Sequence, residues 1–117
     1  MQLEEKDVGY LWDILDSART ICDFVSGVNF IQYMEDRKLQ LAVERAIEII
    51  GEAARRVSEA FRTEHSEIPW QNIIAQRNVL AHEYGEIKQE LIWKVATRRV
   101  PELITALEPL IPKPPAD

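Results

Sequence analysis

The chain has 117 residues, of which 46% are hydrophobic and 29% charged, and this length supports one domain with a hydrophobic core but is too short for two. A formal net charge of −6 argues against a protein that binds nucleic acid through a broad basic surface. No apolar run approaches the roughly 18 residues of a membrane-spanning helix, so membrane insertion is not expected.

The first predicted element is a helix over residues 8–25, because its apolar residues recur three and four positions apart. Gly27 is placed to end this helix in the left-handed conformation. Asn29 and Gln32, three residues apart, resemble a capping box that starts a further helix. Cys22 is the only cysteine, so it is expected to be a core thiol in a protein of the reducing cytoplasm.

A long second helix is predicted over residues 38–62 from the same helical period of apolar residues. Gly51 in its interior costs about 1 kcal/mol relative to alanine. A glycine there indicates that another helix crosses closely, within the chain or from a second subunit; the alternative is a tolerated defect. Three glutamates spaced four apart form a carboxylate stripe, interpreted as a solvated or partner-facing surface: Glu44, Glu48 and Glu52.

Two more helices complete the predicted fold. Pro69 suits the first turn of a third helix that Gly85 would end, and a fourth helix from about residue 87 should be kinked or divided by Pro101. No segment alternates with the two-residue period of a half-buried strand. The sequence therefore predicts an all-α antiparallel bundle of about four main helices over residues 1–111, followed by a Pro-rich tail, residues 112–117, that is expected to be disordered.

The third helix ends in a stretch that a buried helix does not need, QRNVLAHEYGEI at residues 76–87. Arg77 and His82 are five residues apart, which separates them by about 140° around a helix. Asn78 and His82, four apart, share a face. Convergence of Arg77 and His82 therefore requires the helix to end near Gly85, or a second copy of the chain across a symmetric interface.

Each of these side chains taken alone is more often structural than functional. Together they supply what RNA cleavage without a metal requires. Histidine titrates near neutral pH and can move the proton of a ribose 2′-hydroxyl or of the leaving oxygen. Arginine stays charged and offers forked donors to a phosphate, and Asn78 could fix the imidazole or a phosphate oxygen.

Other chemistries fit the sequence less well. Neither His65 nor His82 has a glutamate three residues before it, which argues against the Glu-x-x-His pairs of di-iron bundles. The chain has no Gly-rich phosphate loop, nucleophile motif or zinc-ligand spacing. No metal and no cofactor are therefore expected. The uneven charge also favours the C-terminal part for a phosphate, because residues 1–68 hold 8 Lys/Arg against 14 Asp/Glu while residues 69–117 hold 6 of each.

The spacing Arg-x4-His-x-Tyr in RNVLAHEY resembles the motif of the HepT-like branch of the HEPN domain ribonucleases. The resemblance extends to AVERAIEIIGEAARRVSE, and to IPW ahead of the motif. It implies a homodimeric HEPN bundle that acts as a metal-independent endoribonuclease toxin, with a minimal nucleotidyltransferase as its antitoxin. It also implies that Arg77 and His82 are catalytic, that Asn78 supports the arginine, and that the antitoxin modifies Tyr84 with AMP.

A second function stays open at this point. Some HEPN proteins bind nucleotides or act as partner modules without cleaving RNA, and the acidic N-terminal part leaves only a small groove for a substrate. The alternative is a non-catalytic helical dimer that partners a nucleotidyltransferase. The two functions differ in whether His82 is needed.

Overall fold

The computed structural model describes residues 4–82 and 88–112, except the side chains of residues 81 and 82. The described residues contain no β-strand, and the predicted all-α fold is confirmed. The helices are α1 (Glu5–Val25), α2 (Phe30–Glu35), α3 (Arg37–Arg56), α4 (Glu59–Glu64), α5 (Trp70–His82), α6 (Gln89–Lys94) and α7 (Val100–Leu107). A π-helical segment, Val95–Arg99, joins α6 to α7, and a 3-10 turn, Glu108–Leu110, follows α7. None of the described helices is long and apolar enough to cross a membrane.

The helix α3 lies at the centre of the bundle, with α1 packed on one side and α5 on another, and α7 also packs on α1. Its apolar positions recur at helical period, so one face contacts both neighbours. The most deeply buried large side chains come from all parts of the chain: Leu11, Ile14, Leu15, Ile21, Tyr33, Val43, Val57, Ile68, Ile92 and Leu107. The two long neighbours of α3 therefore hold it in place, and α3 in turn provides the surface on which α5 rests.

The turn between α1 and α2 follows the sequence prediction. Gly27 has a φ of +75°, in the left-handed region that only glycine adopts without strain. Asn29 Oδ1 accepts from the Gln32 backbone N–H at 2.8 Å, and Gln32 Oε1 accepts from the Asn29 N–H at 2.9 Å. The capping box is thus confirmed, and it starts α2 at Phe30.

The prediction of one helix over residues 38–62 is wrong, because the structure divides this segment into α3 and α4. The chain leaves the helical conformation at Val57, where ψ is 139°. Ser58 then caps α4, its Oγ accepting from the Phe61 N–H at 3.2 Å. Asp7 of α1 accepts from the Ser58 N–H at 2.8 Å. A side chain distant in sequence therefore takes the hydrogen bond that a continuous helix would have made internally.

The predicted interruption at Pro101 is confirmed, and it takes the form of the π-helical segment before α7. Val100 donates its N–H to the Val95 carbonyl, five residues back, instead of four. Pro101 lacks an N–H and occupies the first turn of α7, where none is needed. The predicted start near residue 87 and the tail residues 113–117 lie outside the described residues.

Candidate functional site

The helix α5 carries Arg77, Asn78 and His82 on one continuous segment, Trp70–His82. The predicted third helix is present, but it begins at Trp70, so Pro69 directly precedes it instead of lying in its first turn. Trp70 fixes this end, since its ring is buried and its Nε1 donates to the His65 carbonyl at 3.0 Å. The rest of the helix is held by apolar side chains that are buried or packed against the core: Ile73, Ile74 and Leu80.

The crossing of α3 and α5 is close at Gly51, and the close approach predicted there is confirmed within the chain. A Cβ added at Gly51 would overlap Arg77 Cβ, would lie 2.9 Å from Arg77 Cγ, and would lie 3.1 Å from the Ile73 carbonyl oxygen. Only a hydrogen at this position leaves room for the base of the Arg77 side chain. The glycine is therefore required by packing and is not a tolerated defect.

The Arg77 guanidinium lies between α3 and its own helix. Its Nη2 is 3.2 Å from Glu52 Oε2, and its Nη1 donates to Asn78 Oδ1 at 3.1 Å. The side chain is only 24% exposed. The Nε is buried with no hydrogen-bond partner among the described residues. Asn78 therefore contacts the arginine that it was predicted to accompany.

Glu52 accepts hydrogen bonds from two further arginines through its other carboxylate oxygen. Arg55 Nη2 donates to Oε1 at 2.9 Å, and Arg56 Nε donates to the same atom at 3.0 Å. These two hydrogen bonds, with a smaller contribution from the charge of Arg77, outweigh desolvation and lower the pKa of Glu52 to about 2. The interpretation of Glu52 as part of a solvated or partner-facing stripe is therefore incomplete, because no local sequence pattern indicates that Arg77 crosses beside it.

His82 lies at the end of α5 as described, five residues after Arg77, so the helical backbone keeps the two positions about 140° apart around the axis. The His82 side chain, Tyr84 and Gly85 lie outside the described residues. The structure thus brings Arg77 together with Asn78, Gly51 and Glu52. Residues 4–80 and 88–112 hold no group of three or more His, Cys, Asp or Glu side chains that could bind a metal ion.

A cavity of about 430 Å³ opens beside Arg77, between α1 and α3. Its polar lining contains both positive and negative side chains: Tyr10, Asp13, Arg45, Glu48, Glu52, Arg56 and Arg77. The three arginines and three carboxylates balance, so the cavity lacks the strong positive potential of a long phosphate track. The arginine side chains in this lining can donate hydrogen bonds beside Arg77, which suits contact with one phosphate or nucleotide.

Comparison with known proteins identifies the family of this chain. A family model described as "Ribonuclease HepT-like" matches residues 14–110, which include Arg77, Asn78, His82 and Tyr84. The chain belongs to the HepT-like ribonuclease family. The match begins within α1 and ends in the last 3-10 turn, so HepT-like chains share nearly the whole described bundle with this one.

Two relatives illustrate the HepT-like match. A protein of Methanocaldococcus jannaschii, provisionally named an RNase, is 36% identical over 110 residues, covering 93% of this chain and 91% of its own. A protein of Thermococcus cleftensis named "Probable ribonuclease HepT" is also 36% identical over 110 residues, covering 94% of this chain and 98% of its own. No solved structure matches this HepT-like chain significantly. The resemblance to the HepT-like family is therefore confirmed, and membership in this family supports a ribonuclease activity for the chain.

Proposed function

We propose that this HepT-like chain is a metal-independent endoribonuclease that serves as the toxin of a toxin–antitoxin pair in the cytoplasm. The observation that carries the proposal is the HepT-like match over residues 14–110, which includes the complete Arg-x4-His-x-Tyr spacing. The structure supports it by holding Arg77 at a helix crossing, partly exposed and beside a cavity. We assign Arg77 and His82 to catalysis and Asn78 to support of the arginine.

The proposed reaction is attack of a ribose 2′-oxygen on the adjacent phosphorus. The new P–O2′ bond forms as the P–O5′ bond breaks, which gives a 2′,3′-cyclic phosphate and a free 5′-hydroxyl. The 2′-hydroxyl loses a proton and the leaving 5′-oxygen gains one; His82 makes one of these two transfers, since an imidazole can do either near neutral pH, and water makes the other. Arg77 stabilises the charge that gathers on the phosphate oxygens. Neither task requires a metal ion.

The proposal includes a homodimer, because Arg77 and His82 are separated by about 140° on one helix. A two-fold axis beside α5 would let the motifs of two subunits face each other across a cleft. Light scattering at micromolar concentration checks this, and an active monomer would remove the need for a shared cleft.

Neutralisation is proposed to come from a minimal nucleotidyltransferase that transfers AMP to Tyr84. The phenol oxygen attacks the α-phosphate of ATP, pyrophosphate leaves, and a base of the partner enzyme takes the phenol proton. Tyr84 is two residues from His82, so the AMP adds bulk and about one negative charge where RNA phosphate would bind. Like-charge repulsion then weakens substrate binding.

One observation favours the alternative, a non-catalytic HEPN module that binds a nucleotide or its nucleotidyltransferase partner. The Arg77 guanidinium already pairs with Glu52 and Asn78, as the arginine of a purely structural ion pair would. This function predicts that His82 can be lost without consequence for binding.

The deciding experiment is cleavage of a labelled RNA by the purified protein in the presence of EDTA. Wild-type protein should cut, whereas Arg77→Ala and His82→Ala should not. Exposed Arg19→Ala, which removes a surface arginine of α1 far from α5 in sequence, is the control and should cut normally. Cleavage that stops with EDTA and returns with magnesium would contradict metal independence, and wild-type protein that binds nucleotides without cutting would favour the alternative.

A further inference from the structure

Gly51 and Glu52 are consecutive residues of α3, and both contact Arg77, which lies on α5. The absent side chain of Gly51 makes room for Arg77 Cβ and Cγ. The Glu52 carboxylate pairs with the far end of the same side chain at 3.2 Å. One short segment of α3 thus contacts Arg77 at both its base and its charged tip.

From these contacts we propose that Gly51 and Glu52 are positioning residues for Arg77, a role that rests on the proposed ribonuclease function. Neither residue is assigned to contact RNA. Gly51 sets where the arginine side chain leaves α5, and Glu52 sets the direction of its guanidinium. Together they hold the forked donors in place before a phosphate arrives.

Glu52 is itself firmly held, which a positioning group requires. Its Oε1 accepts from Arg55 and Arg56, and this leaves Oε2 directed to Arg77. The carboxylate oxygen Oε2 is buried and has no hydrogen bond of good geometry among the described residues. The pairing with Arg77 is therefore mainly electrostatic, and it depends on the negative charge of Glu52 more than on hydrogen-bond geometry.

The remaining donors of Arg77 explain why an oriented guanidinium matters. Asn78 Oδ1 accepts a hydrogen bond from Arg77 Nη1. The Arg77 Nε is buried without a hydrogen-bond partner in the described part of the chain. The guanidinium plane is consequently set by Glu52 and Asn78 and not by its Nε. Without the Glu52 charge, the arginine gains by turning to solvate its Nε, and the forked donors leave the position where a phosphate would meet them.

The opposite role, in which Glu52 masks Arg77 from the substrate, makes a different prediction. A masking carboxylate competes with phosphate, so its removal raises activity. A positioning carboxylate orients the donors, so its removal lowers kcat. One feature favours positioning: among the described residues Arg77 donates a hydrogen bond only from Nη1 to Asn78, so its guanidinium retains N–H groups for a phosphate.

The test compares kcat and KM on one RNA for wild type, Glu52→Gln and the control Glu102→Gln. Glu102 lies on α7, does not line the cavity beside Arg77, and pairs with Arg99 at 3.7 Å instead of Arg77. Glu52→Gln should lower kcat by about 10- to 100-fold, with KM changed less than about threefold. Glu102→Gln should stay within about threefold of wild type in both constants.

A second pair of variants tests the base of the arginine. Gly51→Ala should lower kcat in the same way, because its methyl group displaces Arg77 Cβ. Gly9→Ala is the matched control, since Gly9 is also helical, has nothing within 4 Å of an added Cβ, and should keep full activity. Should Gly51→Ala fail to fold, Glu52→Gln still decides the proposal.

A readout without RNA separates this proposal from the proposed function. The rate at which an arginine-specific dicarbonyl reagent labels Arg77, followed by peptide mass spectrometry, should rise several-fold in Glu52→Gln and stay unchanged in Glu102→Gln. If wild-type protein fails to cleave RNA, the ribonuclease proposal fails while the labelling still reports whether Glu52 holds Arg77. Unchanged labelling, or cleavage by Glu52→Gln as fast as or faster than wild type, would overturn the positioning role.

Discussion

Asp7 of α1 accepts two hydrogen bonds from Ser58, at the junction of α3 and α4. The Ser58 N–H is 2.8 Å from Asp7 Oδ1, and the Ser58 hydroxyl is 2.6 Å from Asp7 Oδ2. Asp7 is only 4% exposed, although most buried carboxylates need a charged partner. The junction that ends α3 just after Gly51, Glu52 and their neighbouring arginines is therefore fixed by a residue 51 positions away in the chain.

Asp7→Ala should destabilise the protein by about 2–4 kcal/mol, because it leaves the Ser58 N–H and hydroxyl without their acceptor. Urea unfolding followed by far-UV circular dichroism measures this. Asp16→Ala, an exposed aspartate of the same helix, is the control and should change stability by less than about 0.5 kcal/mol. A double-mutant cycle with Ser58→Ala isolates the hydroxyl–carboxylate hydrogen bond, because alanine keeps the backbone N–H, and simple additivity of the two changes would show that this bond contributes nothing.

The Asp7 contact also shows what sequence periodicity leaves undetermined. The spacing of apolar residues predicted the helices and their buried faces well, because buried positions recur every three to four residues along a helix. The predicted residues on these faces include several that are buried: Leu11, Leu15, Val43, Ile47 and Ile50. The break at Val57 was not predicted, since it depends on a long-range polar contact that has no periodic signature. Capping residues such as Asn29 and Gln32 were predictable because both partners lie within one turn.

The sequence predicted residue types for the candidate site but not their surroundings. Arg77, Asn78 and His82 were predicted from their spacing and chemistry, and their roles stay a prediction. Glu52 was interpreted as one residue of a stripe, because nothing local tells which helix will cross it. Gly51 carried the one usable signal, since a glycine inside a strongly periodic helix indicates a close neighbour, and that neighbour is Arg77.

Gln89, at the start of α6, links three helices through a partly buried pair of hydrogen bonds. Tyr33 of α2 donates to Gln89 Oε1 at 2.6 Å, and Gln89 Nε2 donates to Glu44 Oε2 of α3 at 2.8 Å. Gln89→Ala should cost about 1–3 kcal/mol, because the fully buried Tyr33 loses its acceptor. Exposed Gln71→Ala is the control. If the unfolding midpoints of these two variants do not differ, the hydrogen bonds of Gln89 do not stabilise the fold.

The pH dependence of stability should report the ionisation of Glu52. Its pKa is lowered from 4.5 to about 2 in the folded protein, chiefly by the hydrogen bonds from Arg55 and Arg56. A lowered pKa gives stability that is fully present above the unfolded value and is lost as the pH falls through the folded value. The stability difference between wild type and Glu52→Gln should hold at neutral pH and shrink between pH about 4.5 and about 2. A difference that is independent of pH would contradict this assignment.

Tyr84 should carry the adduct when the chain is co-expressed with its nucleotidyltransferase, as the resemblance to the HepT-like family implies. Intact-mass spectrometry should detect AMP on wild-type protein and none on Tyr84→Phe. Tyr10→Phe, which alters a tyrosine of α1, is the control and should remain fully modified. The modified protein should cut RNA far more slowly than the bare one. Adducts that persist on Tyr84→Phe, or undiminished cleavage after modification, would instead point to a partner that simply covers the cleft.

The most direct test of the proposed chemistry is the identity of the new RNA ends formed in the presence of EDTA. Attack by the 2′-oxygen predicts a 2′,3′-cyclic phosphate and a 5′-hydroxyl from wild-type protein, and no product from His82→Ala. An oligonucleotide of the same sequence with 2′-deoxyribose at the cleaved position should stay intact, because it lacks the nucleophile. Products with 5′-phosphate ends, formed from the deoxy substrate and only when magnesium is present, would contradict catalysis by Arg77 and His82.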